Sequence, residues 1–176
     1  MSQALVIIDV QQGMFSDPAM QPFEGDATVA RIRALLDRAR NASLPVFFIQ
    51  HDGGTGHPLA RDSAGFAFHP SLTPHDGESV TIKTECNAFQ GTGLAERLEA
   101  SRISHLTVCG MQTQYCVDTF VRAAVEHGFE VCLAADGHTT FGTALLDAGT
   151  IIAHHNDILA GSFATLCPAG EIAFGA

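Results

Sequence analysis

The strongest constraint on the fold is a set of short apolar runs that alternate with amphipathic stretches of helix length. "ALVIIDV" (4–10) is almost unbroken in aliphatic residues before Asp9, as a strand covered on both faces must be. "PVFFIQ" (45–50), "ESVTIK" (78–83), "ISHLTVCG" (103–110), "FEVCLAA" (129–135) and "SFATLC" (162–167) repeat the theme. Between them, "DATVARIRALLDRARNA" (26–42) spaces Val29, Ile32, Leu35, Leu36 and Ala39 along one helical stripe, with Asp26 as the expected N-cap. "GTGLAERLEAS" (91–101) reads as a helix capped by Thr92. "QYCVDTFVRAAVEHG" (114–128) stripes Val117, Phe120, Val121, Ala124 and Val125, with Gly128 suited to the C′ position. "ALLDAGTIIAHHNDILAG" (144–161) is a last helix, with a break expected near Asn156.

This alternation implies a parallel sheet wrapped by helices. The expected class is α/β: a single-domain three-layer Rossmann-like sandwich spanning 1–176, with about six mostly parallel strands and helices on both faces. A length of 176 residues favours one proper core over two small ones. The stretch 51–77, rich in Gly, Pro and His, is too long for a simple connection, and long ordered loops often carry function.

Charge and cysteine usage narrow the partners. The net charge of −10, with no Lys/Arg cluster, argues against nucleic acid, whose phosphates need concentrated cations. No run approaches the roughly 18 apolar residues of a membrane span. The N-terminal apolar run is short, lacks a basic flank and ends in Asp9, so no signal peptide is expected. The five cysteines, Cys86, Cys109, Cys116, Cys132 and Cys167, contain no C-x-x-C pair. Zinc ribbons and disulfide scaffolds fit poorly, and a reduced cytoplasmic protein is expected.

In parallel α/β sheets, ligands bind beyond the C-terminal strand ends. That rule directs attention to Asp9, Gln50–His51, Lys83, Gly110–Cys116 and Asp136. Asp9 is either a solvated strand-end carboxylate or a general base. Lys83 is either a solvated lysine or the partner of that carboxylate. Cys116 is either a small buried hydrophobe or a nucleophile whose thiol pKa falls near a helix N-terminus and a cation. Free N–H groups at such a turn can hold an oxyanion. Cys109 and Cys132 lie inside apolar strands and read as core.

Together these segments resemble the isochorismatase-like cysteine hydrolases, which include nicotinamidases, N-carbamoylsarcosine amidases and streptothricin hydrolases. The resemblance is carried by "ALVIIDVQQGMF" (4–15), "PVFFIQHDGG" (45–54), "VTIKTECNAFQGTGLAERL" (80–98), "HLTVCGMQTQYCVDTFVRAA" (105–124) and "FEVCLAADGHTT" (129–140). It implies a catalytic triad of Asp9, Lys83 and Cys116. It also implies a cis peptide at Met111–Gln112, with the Gln112 and Cys116 N–H groups forming an oxyanion hole. Gln11, of the D-x-Q element, is implied to orient the site. The implied reaction is hydrolysis of a small-molecule amide-type C–N bond through a thioester, with no cofactor. True isochorismatases lack a cysteine at this point, so Cys116 argues against vinyl ether cleavage. A homo-oligomer, dimer or tetramer, is expected on the same grounds.

Phe15, His51, Tyr115 and Phe141 adjoin the motifs and are candidates to bind or orient substrate, core packing being the alternative for Phe15 and Phe141. A metal-assisted nicotinamidase is a second reading, with His51, His57 and His69 as candidate ligands, although the Asp-x-His pair of nicotinamidases is absent: His51 and Asp52 are adjacent. A third is a redox-active thiol protein pairing Cys116 with Cys86.

Overall fold

Strand β1 (Ser2–Ile8) occupies the middle of the sheet because its aliphatic run has no polar face to show to water. The computed structural model describes residues 2–175. Around β1 it arranges β2 (Val46–His51), β3 (Ser79–Lys83), β4 (Ile103–Met111), β5 (Glu130–Thr139) and β6 (Thr165–Cys167) in the order β3-β2-β1-β4-β5-β6. Every pairing is parallel. The order reverses between β1 and β4, so the two halves of the sheet diverge there and leave a crevice at the strand ends.

The pleat sends alternate side chains to two separate cores. On one face, Leu5 and Ile7 of β1 and Phe48 of β2 pack against Ile32, Leu35 and Leu36 of α1 (Gly25–Asn41), with Ile172 from the C-terminal segment. On the other, Val6, Ile8, Ile49 and Val108 meet α2 (Leu94–Ala100), α3 (Asp118–Glu126) and α4 (Ala148–Leu159) through Leu98, Phe120 and Leu159. The three-layer expectation is met. Among the described residues, no helix is long and apolar enough to cross a membrane.

Several boundaries differ from the sequence reading, each for a local reason. Helix α1 starts at Gly25 after Glu24 in left-handed geometry, and Asp26 lies in its first turn without capping it. The cap position of α2 is Gly93, while Thr92 Oγ1 accepts from the Leu94 N–H at 3.3 Å from one residue earlier. Helix α3 ends as expected: the Gly128 and Phe129 N–H groups return to the Val125 and Ala124 carbonyls, with Gly128 at φ +86°. Helix α4 begins on Asp147, which accepts from the Thr150 N–H at 2.8 Å, and runs unbroken through Asn156.

Strand β5 departs most. It does not end at Asp136 but continues to Thr139 after an irregularity that moves its pairing from Val108↔Leu133 to Gly110↔His138. Asp136 sits in that bulge, where it accepts from the Ala169 N–H at 2.6 Å and faces Arg31 at 3.5 Å. It ties down the C-terminal segment rather than facing Cys116.

Candidate active site

Three strand ends bring Asp9, Lys83 and Cys116 together. Asp9 follows β1 with φ +51°, in left-handed geometry that turns the chain sharply at the rim. Its N–H is held by the Ile49 carbonyl at 3.0 Å, and its carbonyl accepts from the Gln11 N–H at 2.9 Å. Lys83 is the last residue of β3, and its side chain is fully buried. Its Nζ lies 2.7 Å from Asp9 Oδ2 and 3.1 Å from Cys116 Sγ. Beyond that ion pair, neither Asp9 oxygen has a hydrogen-bond partner among the described residues.

The charges explain the proton affinities. Burial works to lower the Lys83 pKa, but Asp9 and the Cys116 sulfur outweigh it and raise it, so the ammonium persists at neutral pH. The expected fall in the Cys116 thiol pKa does not occur. Burial pushes it up and the Asp9 carboxylate adds to this, while Lys83 only opposes them. The resting site therefore holds a neutral thiol beside the Asp9–Lys83 ion pair.

Cys116 sits in a single wide turn, Thr113–Val117, that leads into α3. The Met111–Gln112 peptide before it is cis. The Gln112 N–H meets no protein acceptor among the described residues, and the Gln112 carbonyl takes the Tyr115 and Val117 N–H groups at 3.1 and 3.2 Å. Gly110 lets β4 come this close to β1: a Cβ there would lie 2.1 Å from the Ile8 carbonyl oxygen, and its φ of +128° disfavours any side chain.

Gln11 is fully buried and acts as a staple. Its Oε1 accepts from the His51 N–H at 2.9 Å, and its Nε2 donates to the His51 and Phe66 carbonyls at 3.0 and 2.8 Å. Gln50 Nε2 donates to the same Phe66 carbonyl at 2.8 Å. The 51–77 stretch is thus pinned to the sheet rim, with further bonds from Gln12 N–H to Ala67 and from His69 N–H to Val10.

His51 Nδ1 lies 3.4 Å from Lys83 Nζ, so this candidate joins the cluster. Burial and then Lys83 lower its pKa, leaving the ring neutral. Tyr115 is half exposed within the Thr113–Val117 turn. Phe15 packs edge-on against His69 at 5.0 Å and, like Phe141, lies against the core on the α1 face, the packing alternative for both. His51 and His57 are ring neighbours at 6.2 Å, but His57 Nδ1 accepts from the Leu59 N–H. His69 Nδ1 accepts from the Ser71 N–H and the ring turns to Phe15 instead. With an ammonium against His51 as well, these three do not form a shared ligand set. No cluster of three or more His, Cys, Asp or Glu side chains suited to a metal occurs among the described residues. Cys86 is exposed, Cys116 is buried, and both are free thiols.

The isochorismatase-domain profile matches residues 3–153 of this chain. The chain belongs to the isochorismatase family. It is 32% identical to the uncharacterized isochorismatase family protein YddQ of Bacillus subtilis over 157 residues, covering 88% of this chain and 87% of that protein. It is 37% identical to a streptothricin hydrolase of Streptomyces noursei over 139 residues, 79% of this chain but 50% of that enzyme, so it spans about half of that relative's length. The crystal structure of an isochorismatase from Pseudomonas putida superposes with a TM-score of 0.93 at 31% identity, covering 97% of this chain and 90% of that one.

Sequence reasoning missed a second polar cluster in this family site. Thr113, at the start of the turn that carries Cys116, is linked by hydrogen bonds to His138 and through it to Asn156. The signal was present in part, since Thr113 belongs to the segment 105–124 that carries the family resemblance, but Asn156 read as a helix break and no local spacing ties His138 to either.

Proposed function

We propose that this chain is a cysteine-dependent hydrolase of a small-molecule amide-type C–N bond. The observation that carries the proposal is the Lys83 ammonium, 2.7 Å from the Asp9 carboxylate and 3.1 Å from the Cys116 sulfur. An acid–base group and a fixed cation beside one thiol are what nucleophilic acyl transfer requires. A nucleophile only 9% exposed admits a small molecule and excludes a folded chain.

Asp9 takes the Cys116 proton as the sulfur attacks the substrate carbonyl. Lys83 offsets the charge that appears on sulfur. The Gln112 and Cys116 N–H groups receive the negative oxygen of the tetrahedral adduct. Protonated Asp9 then gives its proton to the leaving nitrogen, the C–N bond breaks, and a Cys116 thioester remains. Water, deprotonated by Asp9, attacks the thioester, and the products are a carboxylic acid and an amine or ammonia. Cys116 recovers its proton from Asp9. Neutral His51, held in place by Gln11, is set to contact the substrate, and Tyr115 lines its approach.

The test is a panel of primary amides, cyclic amides and carbamoyl compounds, assayed for ammonia or amine release by wild type and Cys116→Ala. Release by wild type alone, with an acyl adduct on Cys116 in quenched samples, is the expected result. Activity retained by Cys116→Ala would sink the proposal. Peroxide treatment followed by mass spectrometry addresses the redox reading, which requires a Cys86–Cys116 bridge.

A further inference from the structure

Beneath the turn that carries Cys116 runs a buried polar chain that the reaction above does not use. Thr113 opens the turn, is 1% exposed, and places Oγ1 2.9 Å from Nδ1 of His138. His138 is 2% exposed, lies on β5 opposite Gly110, and places Nε2 2.9 Å from Asn156 Oδ1 on α4. Asn156 Nδ2 donates to the Ala135 carbonyl at 2.9 Å, inside the β5 bulge.

Chemistry fixes the direction of each bond. A backbone carbonyl only accepts, so the Asn156 atom facing Ala135 is the amide nitrogen and the one facing His138 is the oxygen. That oxygen only accepts, so His138 carries its proton on Nε2. Burial lowers the pKa of the imidazole, which stays neutral. Nδ1 then holds a lone pair, and the Thr113 hydroxyl donates to it. One proton arrangement satisfies all three contacts.

We infer that His138 is a positioning residue for the nucleophile: by holding Thr113 it fixes the turn that presents the Gln112 N–H and Cys116. The inference rests on the reading of Cys116 as nucleophile. The turn Thr113–Val117 closes through the Val117 N–H on the Gln112 carbonyl, five residues back, a loop geometry with little stability of its own. Its shape must come from outside, and Thr113 is its buried polar anchor. Without the anchor the sulfur stays near Lys83 but loses its line to the carbonyl and to the oxyanion donors. A misplacement of about 1 Å costs on the order of 100-fold in rate. The proposed substrate contact at His51 is held separately, at the end of β2 by Gln11, so the loss falls mainly on kcat rather than KM.

The experiment compares Thr113→Val, which keeps the shape and removes the hydroxyl, with Thr113→Ser, which keeps the hydroxyl. Valine lowers kcat about tenfold or more with KM within about twofold, and serine restores most of it. Alkylation of Cys116 by iodoacetamide, followed by mass spectrometry, slows in the valine variant and not in the serine variant. His138→Asn keeps an acceptor for Thr113, whereas His138→Gln keeps only the reach to Asn156, so the asparagine variant retains more turnover. This second pair carries the test if Thr113→Val does not fold. Nitrogen-15 correlation spectra of wild type show His138 protonated on Nε2 and bare on Nδ1. Valine and serine variants that react alike, or a His138 protonated on Nδ1, overturn the inference. Alkylation needs no substrate: a protein that hydrolyses no amide yet shows the valine–serine contrast refutes the amidase reading and supports the positioning role.

Discussion

Cys109 and Cys116 lie on the same stretch of chain, one inside β4 and one in the turn just beyond it. Both are buried, and in both burial raises the thiol pKa. Cys109 is packed in the α1-side core with the Val6 carbonyl 3.6 Å from its sulfur. Nothing there can receive a proton or balance a negative charge. Cys116 touches the Lys83 ammonium, which is itself paired with the Asp9 carboxylate. On the proposed reading of Cys116 as the nucleophile, the comparison says that a low resting pKa is not what separates a reactive thiol from a core thiol. The difference is a neighbour able to accept the proton at the moment sulfur needs to release it.

The contrast breaks first at the sulfur itself. Cys116→Ala should lower kcat at least about 10³-fold in the amide assay, whereas Cys109→Ala should leave turnover within about twofold. Next comes the charge pair. Lys83→Met strands a buried carboxylate and should cost about 3–5 kcal/mol in urea unfolding, with turnover lost. The double variant Asp9→Asn with Lys83→Met should regain most of that stability and none of the turnover. Gly110→Ala, between the two cysteines, drives a methyl into the Ile8 backbone and should cost about 2–4 kcal/mol by the same measurement. Cys109→Ala leaves a small void and should cost about 1–2 kcal/mol.

The smallest effect is on pH dependence. Cys116 is raised from an ordinary thiol value of 9.0 and Lys83 from 10.5. The folded state therefore holds more protons than the unfolded chain once pH passes about 9. Stability is full below that point and declines as pH rises. Cys116→Ala should flatten the first part of the decline in urea titrations from pH 8 to 11.

The sheet, its parallel pairing and the meeting of Asp9, Lys83 and Cys116 were legible because each strand announces itself as an aliphatic run and each of these residues ends or follows one. What was not legible depends on contacts between distant segments. The β5 bulge has no periodic signature, so Asp136 read as a strand end. Nothing local distinguishes Glu24 in left-handed geometry from an Asp26 cap. The sign of the Cys116 shift was misread because a helix N-terminus is a local feature, whereas burial and Asp9 arrive from other parts of the chain. The Thr113–His138–Asn156 chain joins a turn, a strand and a helix, and no spacing rule connects them.

The Phe66 carbonyl, taken by Gln11 and Gln50 at once, divides the long excursion after β2 into two pieces. Upstream of that anchorage the exposed tip 54–57 stands clear of the sheet, whereas Asp52 is tied by its N–H to the Lys83 carbonyl and Leu72, downstream, is buried in the α1-side core. Changes confined to that tip would alter the rim around Asp9, Lys83 and Cys116 while the anchored flanks stay in place, which makes it the place to vary substrate range if the proposed function holds.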